Sequence, residues 1–360
     1  MKRLLLVGAG YGHLYFLKKL RKNPIHEVEI TLISPDTYYY SKNMLTGYAE
    51  GLFEVEDIRI EIEQLVGSDN VTFIQDAVLS FDPLQKSLLT TNGRVLSYDA
   101  VSFDLDFKSM GSYYDYQTES KTIQPNTLVE LIEQVKKSNK PVVAGCGLHS
   151  FELALALQES RKQKGFITPV TFLVHSGSTE DVITFPLTKL EKSLQATGID
   201  YIQSNRIECV KSGLIDTGEG AKIEFDHFLW LAGRQPYDLF VKSLIPTNED
   251  GHLLVNEFLQ STEFPSVFGV GECVSVEGYE AAPKNSRYIR KQAHVLFENL
   301  VHFFKRGSGV SFSPTLKDIS VASIGNKKGI IYYREMFLTG KIPWFVKTMF
   351  DRNDLNKLKN

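Results

Sequence analysis

Three short stretches of this 360-residue chain carry residue types that can do chemistry. The first is Gly8-Ala9-Gly10-Tyr11-Gly12-His13. It follows the apolar run Leu4–Val7 and precedes a helix-like pattern, Leu14, Phe16, Leu17 and Leu20. A strand, a glycine turn and a helix in that order suit an anion. Glycines let the backbone come close, and the helix N-terminus offers unpaired N–H groups and a partial positive charge. A pyrophosphate is the expected ligand. The second stretch is Gly145-Cys146-Gly147-Leu148-His149-Ser150-Phe151-Glu152, between the strand-like Pro141–Ala144 and a helix-prone Glu152–Leu157. Each departs from the G-x-G-x-x-G pattern at its third glycine, where His13 and Ser150 stand. The third is Gly271-Glu272, closing the short apolar run Ser266–Val270. A carboxylate there can reach a sugar-alcohol hydroxyl, and the helix Arg287–Phe304 follows.

The elements between these stretches are those needed to position them. Glu27–Ile33 reads as a buried strand ending at Ser34-Pro35-Asp36. An acid usually stands at this strand end to accept from ribose hydroxyls. Ser34 has the place here, and Asp36 comes two residues late. Tyr38–Gly47 is aromatic and polar at once, either a loop over a planar cofactor or a surface loop. Val55–Leu65 has helical spacing, and Val71–Ile74 and Val78–Phe81 read as strands. Asn92-Gly93 marks a hairpin. Tyr98–Phe103 is a strand running into Asp104-Leu105-Asp106. A helix is expected over about Asn126 to Ser138, a strand over Val170–Val174 and a helix over Phe185–Thr197. No acid or arginine follows Val174 to choose between NADH and NADPH. Asp226–Leu231 runs into Ala232-Gly233-Arg234-Gln235-Pro236, a crossing point between domains. Ile319–Ile324 and Ile330–Arg334 flank a glycine-bounded hairpin turn.

Composition excludes several classes. The net charge of −3 argues against nucleic-acid binding, and 42% apolar residues allow a sizeable core. No run approaches the about eighteen apolar residues of a membrane span, and Leu4–Val7 is too short for a signal peptide. A cytoplasmic protein is expected. Cys146, Cys209 and Cys273 form no C-x-x-C pair and no zinc spacing, so no metal site is expected. The tail Lys341–Asn360 is basic and amphipathic. It can pack on the body or on a second copy, giving a homodimer, or lie on an anionic membrane as a peripheral contact.

With its stretches in this order, the chain resembles the pyridine nucleotide–disulfide oxidoreductase superfamily, flavoproteins with two dinucleotide-binding domains. Within it, the sequence is similar to type II NADH dehydrogenases and to the related flavoproteins found alone or fused to selenide, water dikinase. The resemblance is carried by GAGYGHL at Gly8–Leu14, LISP at Leu32–Pro35, NMLTGYAEG at Asn43–Gly51 and SYDAVSFDLD at Ser97–Asp106. It continues in AGCGLHSFELALAL at Ala144–Leu157, LWLAGRQP at Leu229–Pro236, VFGVGE at Val267–Glu272 and RKQAHVLFENL at Arg290–Leu300.

The resemblance implies an α/β fold with two Rossmann-like domains, the NAD(P)H domain inserted in the FAD domain, and a small C-terminal α+β segment. The implied boundaries are 1–110 and 254–312 for the FAD domain, 111–253 for the NAD(P)H domain, and 313–360 for a C-terminal hairpin and tail. FAD is implied along Gly8, Ala9, Gly10, Tyr11, Gly12, His13, Ser34, Pro35, Ser41, Lys42, Asn43, Val78, Asp104, Gly271 and Glu272. Lys284 and Gln292 match positions near the flavin ring. NADH or NADPH is implied along Gly145, Gly147, Ser150, Glu152 and Gly233. The family usually shows Gly-Asp where this chain has Gly271-Glu272. The implied reaction passes hydride from NAD(P)H to FAD N5 and then electrons to a quinone or another small acceptor, with no redox disulfide. The alternative is a relative without turnover, acting as a redox sensor or a binding scaffold.

Overall fold

The computed structural model describes residues 1–359 apart from 67–69, 107, 110–124, 146, 176–193, 205–206, 212, 232–233, 281, 283, 315–318 and 334–335. Cys146, Gly233 and most of the Phe185–Thr197 helix expected from sequence lie outside the described residues. The described chain forms two compact units, one of Met1–Tyr39, Ile60–Phe107 and Gln235–Leu316, the other of Tyr40–Arg59, Lys108–Arg234 and Lys317–Asn360.

In the first unit a five-stranded sheet has the order Val267–Gly269, Ala100–Phe103, Lys2–Val7, Val28–Ser34, Val71–Gln75. Every pair is parallel. Leu4 to Val7 and Ala100 to Phe103 are all buried, as expected of strands covered on both faces. The register sets Val7 beside both Ile33 and Phe103. The segments that follow these three residues, Gly8, Ser34 and Asp104, therefore leave the sheet at one end. This is the carboxyl end, where open α/β sheets place their ligands. The Tyr11–Lys22 helix buries Leu14, Phe16, Leu17 and Leu20 on the sheet side. Phe16 meets Phe297 of the Ser286–Lys305 helix at 5.7 Å between ring centres. An antiparallel meander, Val78–Asp82, Ser87–Thr90 and Val95–Ser97, contains the hairpin at Asn92-Gly93.

In the second unit a parallel sheet has the order Asp200–Ser204, Thr171–His175, Pro141–Gly145, His227–Trp230. The Leu148–Gln163 helix follows its Gly145 strand and is buried over most of its length. Fully buried Arg161 on this helix donates to the carbonyls of Val135, Lys136 and Ser138, at the C-terminus of the Pro125–Lys137 helix. That cation closes the helix end, where unpaired carbonyls gather negative charge. Residues 317–360 belong to this unit and form Ser320–Ser323, Gly329–Tyr333 and Met336–Gly340 as an antiparallel sheet, then the Lys341–Lys359 helix.

Three local expectations are corrected. Val55–Leu65 is not one helix but two single turns, Val55–Ile58 and Ile62–Leu65, around the strand Arg59–Glu61. Ile58, Ile60 and Ile62 alternate, and β-branched residues in alternation favour extended backbone. The Tyr38–Gly47 segment is a short strand, Tyr38–Tyr40, followed by the helix Lys42–Glu50, which ends on Gly51 in the left-handed region at φ 85°. The C-terminal hairpin gains a third strand, Met336–Gly340. No helix among the described residues is long and apolar enough to cross a membrane.

His13 pins the first helix to the sheet. It is fully buried, with Nδ1 2.7 Å from the Gly8 carbonyl oxygen and Nε2 2.8 Å from Ser102 Oγ. A carbonyl only accepts, so Nδ1 carries the proton and Nε2 accepts from the Ser102 hydroxyl. Burial lowers the His13 pKa to about 4, against a smaller upward pull from the Gly8 carbonyl. The unfolded chain then binds more protons than the folded one between pH 6.5 and 4. Stability is fully present above 6.5 and falls as pH drops through that window. The expected loss is about 2–3 kcal/mol between pH 7.5 and 4.5. Urea unfolding at the two pH values measures it, and His13→Gln should shrink the difference by that amount, leaving the slope of other groups such as His252, whose pKa burial also lowers to about 4.

Candidate functional site

The first glycine turn closes around a carboxylate. Gly8 has φ +92°, and a Cβ on it would overlap the main-chain carbonyl of Asp104. Gly10 is the N-cap of the Tyr11–Lys22 helix and has no side chain to cap it. Asp104 does so from a distant part of the chain, since its Oδ2 accepts the His13 N–H at 3.0 Å. A Cβ on Gly10 would overlap this carboxylate. One on Gly12 would stand 3.0 Å from Oδ2, and one on Gly271, itself at φ +79°, 2.5 Å from Oδ1. Asp104 is 6% exposed. Three glycines thus form a cradle, and the resident anion is the protein's own.

The other residues of the first unit expected at the site fall around this cradle. Ala9 and Tyr11 are half-buried in the turn, with Tyr11 stacked on Tyr15. Ser34 is buried at its strand end, and its Oγ accepts the Asp36 N–H at 3.3 Å; Pro35 between them is exposed. Asp36 Oδ1 is buried with no hydrogen-bond partner among the described residues. Burial raises the pKa of Asp36, and the nearby charge of Asp106 adds to the rise. Gln292 is fully buried; its Oε1 accepts the Gly271 N–H at 2.9 Å, while its Nε2 has no partner among the described residues. Lys284 Nζ donates to the Glu272 carbonyl at 3.1 Å. Glu272 and Val78 are half-buried.

Ser41, Lys42 and Asn43 belong to the second unit, at the start of the Lys42–Glu50 helix. There the Ser41 N–H bonds to the Ile58 carbonyl, and the Asn43 carbonyl accepts from Lys347 Nζ at 3.4 Å.

The second glycine turn uses its serine as a close-packing residue. A Cβ on Gly145 would overlap the Ser150 side chain, and Ser150 Oγ donates to the Gly147 carbonyl at 2.7 Å. Gly147 caps the Leu148–Gln163 helix. Glu152, one turn in, has its side chain 7% exposed and already partnered. Its Oε1 accepts the Ser323 N–H at 2.6 Å and lies 3.6 Å from Lys347 Nζ, which also pairs with Asp351 at 2.7 Å. Burial raises the Glu152 pKa. Burial pulls the Lys347 ammonium down, but the two carboxylates outweigh it and hold its pKa above the usual lysine range. Lys347 and Asp351 are the residues that sequence reasoning missed. Their spacing of four on an amphipathic helix was the available signal. Gly233 lies outside the described residues.

Apart from the Asp104 carboxylate that occupies it, the first turn has the features of a dinucleotide site. The glycine cradle lies at a helix N-terminus, an acceptor without a partner stands beyond the neighbouring strand, and the Asp104 carboxylate marks the place of an anion. Comparison with known proteins agrees. Over its full length the chain is 24% identical to the sulfide-quinone reductase of Aquifex aeolicus, covering 91% of that protein. It is 23% identical to the NADH dehydrogenase-like protein YutJ of Bacillus subtilis, with 97% of each chain covered. The solved structure of NDH2 from Plasmodium falciparum in complex with NADH superposes with a TM-score of 0.75 at 15% identity, over 99% of this chain and 98% of that one. Residues 2–292 match the family model described as pyridine nucleotide-disulphide oxidoreductase, and the chain belongs to that family, whose members bind FAD and NAD(P)H.

Proposed function

We propose that this protein is an FAD-dependent NAD(P)H oxidoreductase of the quinone-reducing branch of its family, akin to the type II NADH dehydrogenases. The observation that carries this reading is the presence of two strand–glycine–helix turns on two separate parallel sheets of one chain. The first turn, Gly8 to His13, is assigned to the FAD diphosphate. Ser34 and the unpartnered Asp36 Oδ1 are assigned to the sugar beside it, since a buried acceptor is stabilised by a hydroxyl donor. Gly271, Glu272, Lys284 and Gln292 are assigned to the flavin end, where Gln292 Nε2 offers a buried donor. The second turn, Gly145, Gly147 and Ser150, is assigned to the nicotinamide dinucleotide.

Bound flavin would supply the two-electron exchange between nicotinamide and acceptor. The chain itself binds, orients and excludes water. The Lys284 ammonium adds positive charge beside the Gly271–Cys273 turn. Burial pushes the Cys273 thiol up to about 12, which keeps this one thiol protonated at neutral pH. The acceptor assigned here is a small molecule, and a quinone fits the tail. On the Lys341–Lys359 helix, Ile342, Phe345, Met349 and Phe350 are all exposed, at 69%, 61%, 46% and 47%. Their spacing puts them on one helix face, while Leu355 and Leu358 are buried. An exposed apolar face flanked by lysines suits the interface of an anionic bilayer, where quinones dissolve.

Two measurements test this reading. Protein loaded with FAD should be yellow and bleach when NADH or NADPH is added without oxygen; colour that never bleaches sinks the reductase. The double change Phe345→Asp and Met349→Asp should abolish co-sedimentation with anionic liposomes and leave turnover with a water-soluble quinone within about twofold. Unchanged sedimentation removes the membrane from the proposal.

A further inference from the structure

We propose that Asp104 is a built-in anion that closes the first glycine turn, so that FAD binds there only by displacing its carboxylate. The inference rests on the assignment of that turn to FAD. Its basis is the overlap of two roles in one space. Gly10 and Gly271 are free of side chains where the Asp104 carboxylate sits, and a Cβ on either would overlap it; one on Gly12 would meet Val270 Cγ2 and come to 3.0 Å from Oδ2. The His13 N–H, inside the first turn of the helix, is held by Asp104 Oδ2 at 3.0 Å. These are the bare glycines and the helix-end N–H groups that a diphosphate needs.

Position in the sheet brings the two together. The strand Ala100–Phe103 pairs in parallel with Leu4–Val7, and Val7 lies beside Phe103. The residue after Phe103 therefore emerges level with Gly8. The Asp104 N–H bonds to the Val7 carbonyl at 2.9 Å, which holds its backbone beside the turn and brings the carboxylate within reach of it. An uncharged small residue at this position would leave the cradle open.

Two effects follow from the carboxylate. Without flavin it stabilises the protein, since a carboxylate at a helix N-terminus caps N–H groups and meets the positive end of the dipole. Against flavin it competes twice, by occupying the space and by repelling the diphosphate charge. Such repulsion at short range in a partly buried site is worth about tenfold or more in affinity. Asp104 is thus a specificity-determining residue that makes the cofactor exchangeable. Its substitution should improve binding, a change that mere structural damage does not produce.

The test is titration of flavin-free protein with FAD, followed by quenching of flavin fluorescence. Asp104→Asn keeps an oxygen to accept the His13 N–H and removes the charge; Asp104→Ala opens the space as well. Both should bind FAD at least about tenfold tighter than wild type, and the advantage of the Asn variant should shrink as salt is raised. Flavin-free Asp104→Ala should also melt at a lower temperature than wild type. On the wild type itself, the NMR resonance of the Asp104 carboxyl should shift when FAD is added. An Asn variant that is folded and binds FAD no tighter overturns the proposal, as does an unmoved Asp104 resonance with flavin bound. In either case tight FAD binding by the wild type leaves the oxidoreductase reading standing. Absence of FAD binding in wild type and both variants overturns both.

Discussion

The first unit depends on a carboxylate held at a helix N-terminus by a strand that is distant in sequence. Asp104 reaches His13 across 91 positions, and the parallel register of three strands brings it there. Once the carboxylate is in place, the identity of its neighbours follows. Gly8 must be glycine because the Asp104 backbone fills the space of its Cβ. Gly10 and Gly271 must be small because the side chain does, and Gly12 because Val270 Cγ2 and then the carboxylate lie against it. His13, where a third glycine is usual, is accommodated by turning its ring inward, between the Gly8 carbonyl and the Ser102 hydroxyl. The glycine fingerprint in this chain is therefore also a packing rule.

The second unit has its own ionic centre, of opposite organisation. Here a cation, Lys347, lies between Glu152 and Asp351, with the Ser323 N–H completing the shell of Glu152. A buried pair of this kind adds little net stability over apolar groups, yet loss of one partner is costly. It specifies arrangement: the Lys341–Lys359 helix can seat in one rotation, with Lys347 inward and Phe345 and Met349 outward.

Most of the architecture was legible in the sequence because it is written locally. Leu4–Val7 followed by glycines, and Pro141–Gly145 followed by Gly147, mark strand, turn and helix within a few residues. Asn92-Gly93 marks its hairpin the same way. Misreadings arose where two periods coincide. Val55, Ile58, Ile62 and Leu65 satisfy a helical spacing, while Ile58, Ile60 and Ile62 satisfy an alternating one, and the chain takes both in turn. The site was legible as a set of residues but not as a geometry. Asp104 stood out as an acid at the end of an apolar strand, yet its place over three glycines depends on register with another strand. Glu152 stood out by its motif, but nothing near it in sequence announced a lysine almost two hundred positions later.

The interleaving of the two units has a consequence for how the protein is made. The first unit needs Val267–Gly269 for the edge of its sheet, and the second needs Ser320–Ser323 and Lys347 to satisfy Glu152. Neither core closes without segments that lie beyond residue 200. Until the later segments arrive, the strands Ala100–Phe103 and Pro141–Gly145 are apolar edges in search of partners, and Glu152 resists burial. Both cores thus close through contacts distant in sequence, a regime in which chains fold slowly.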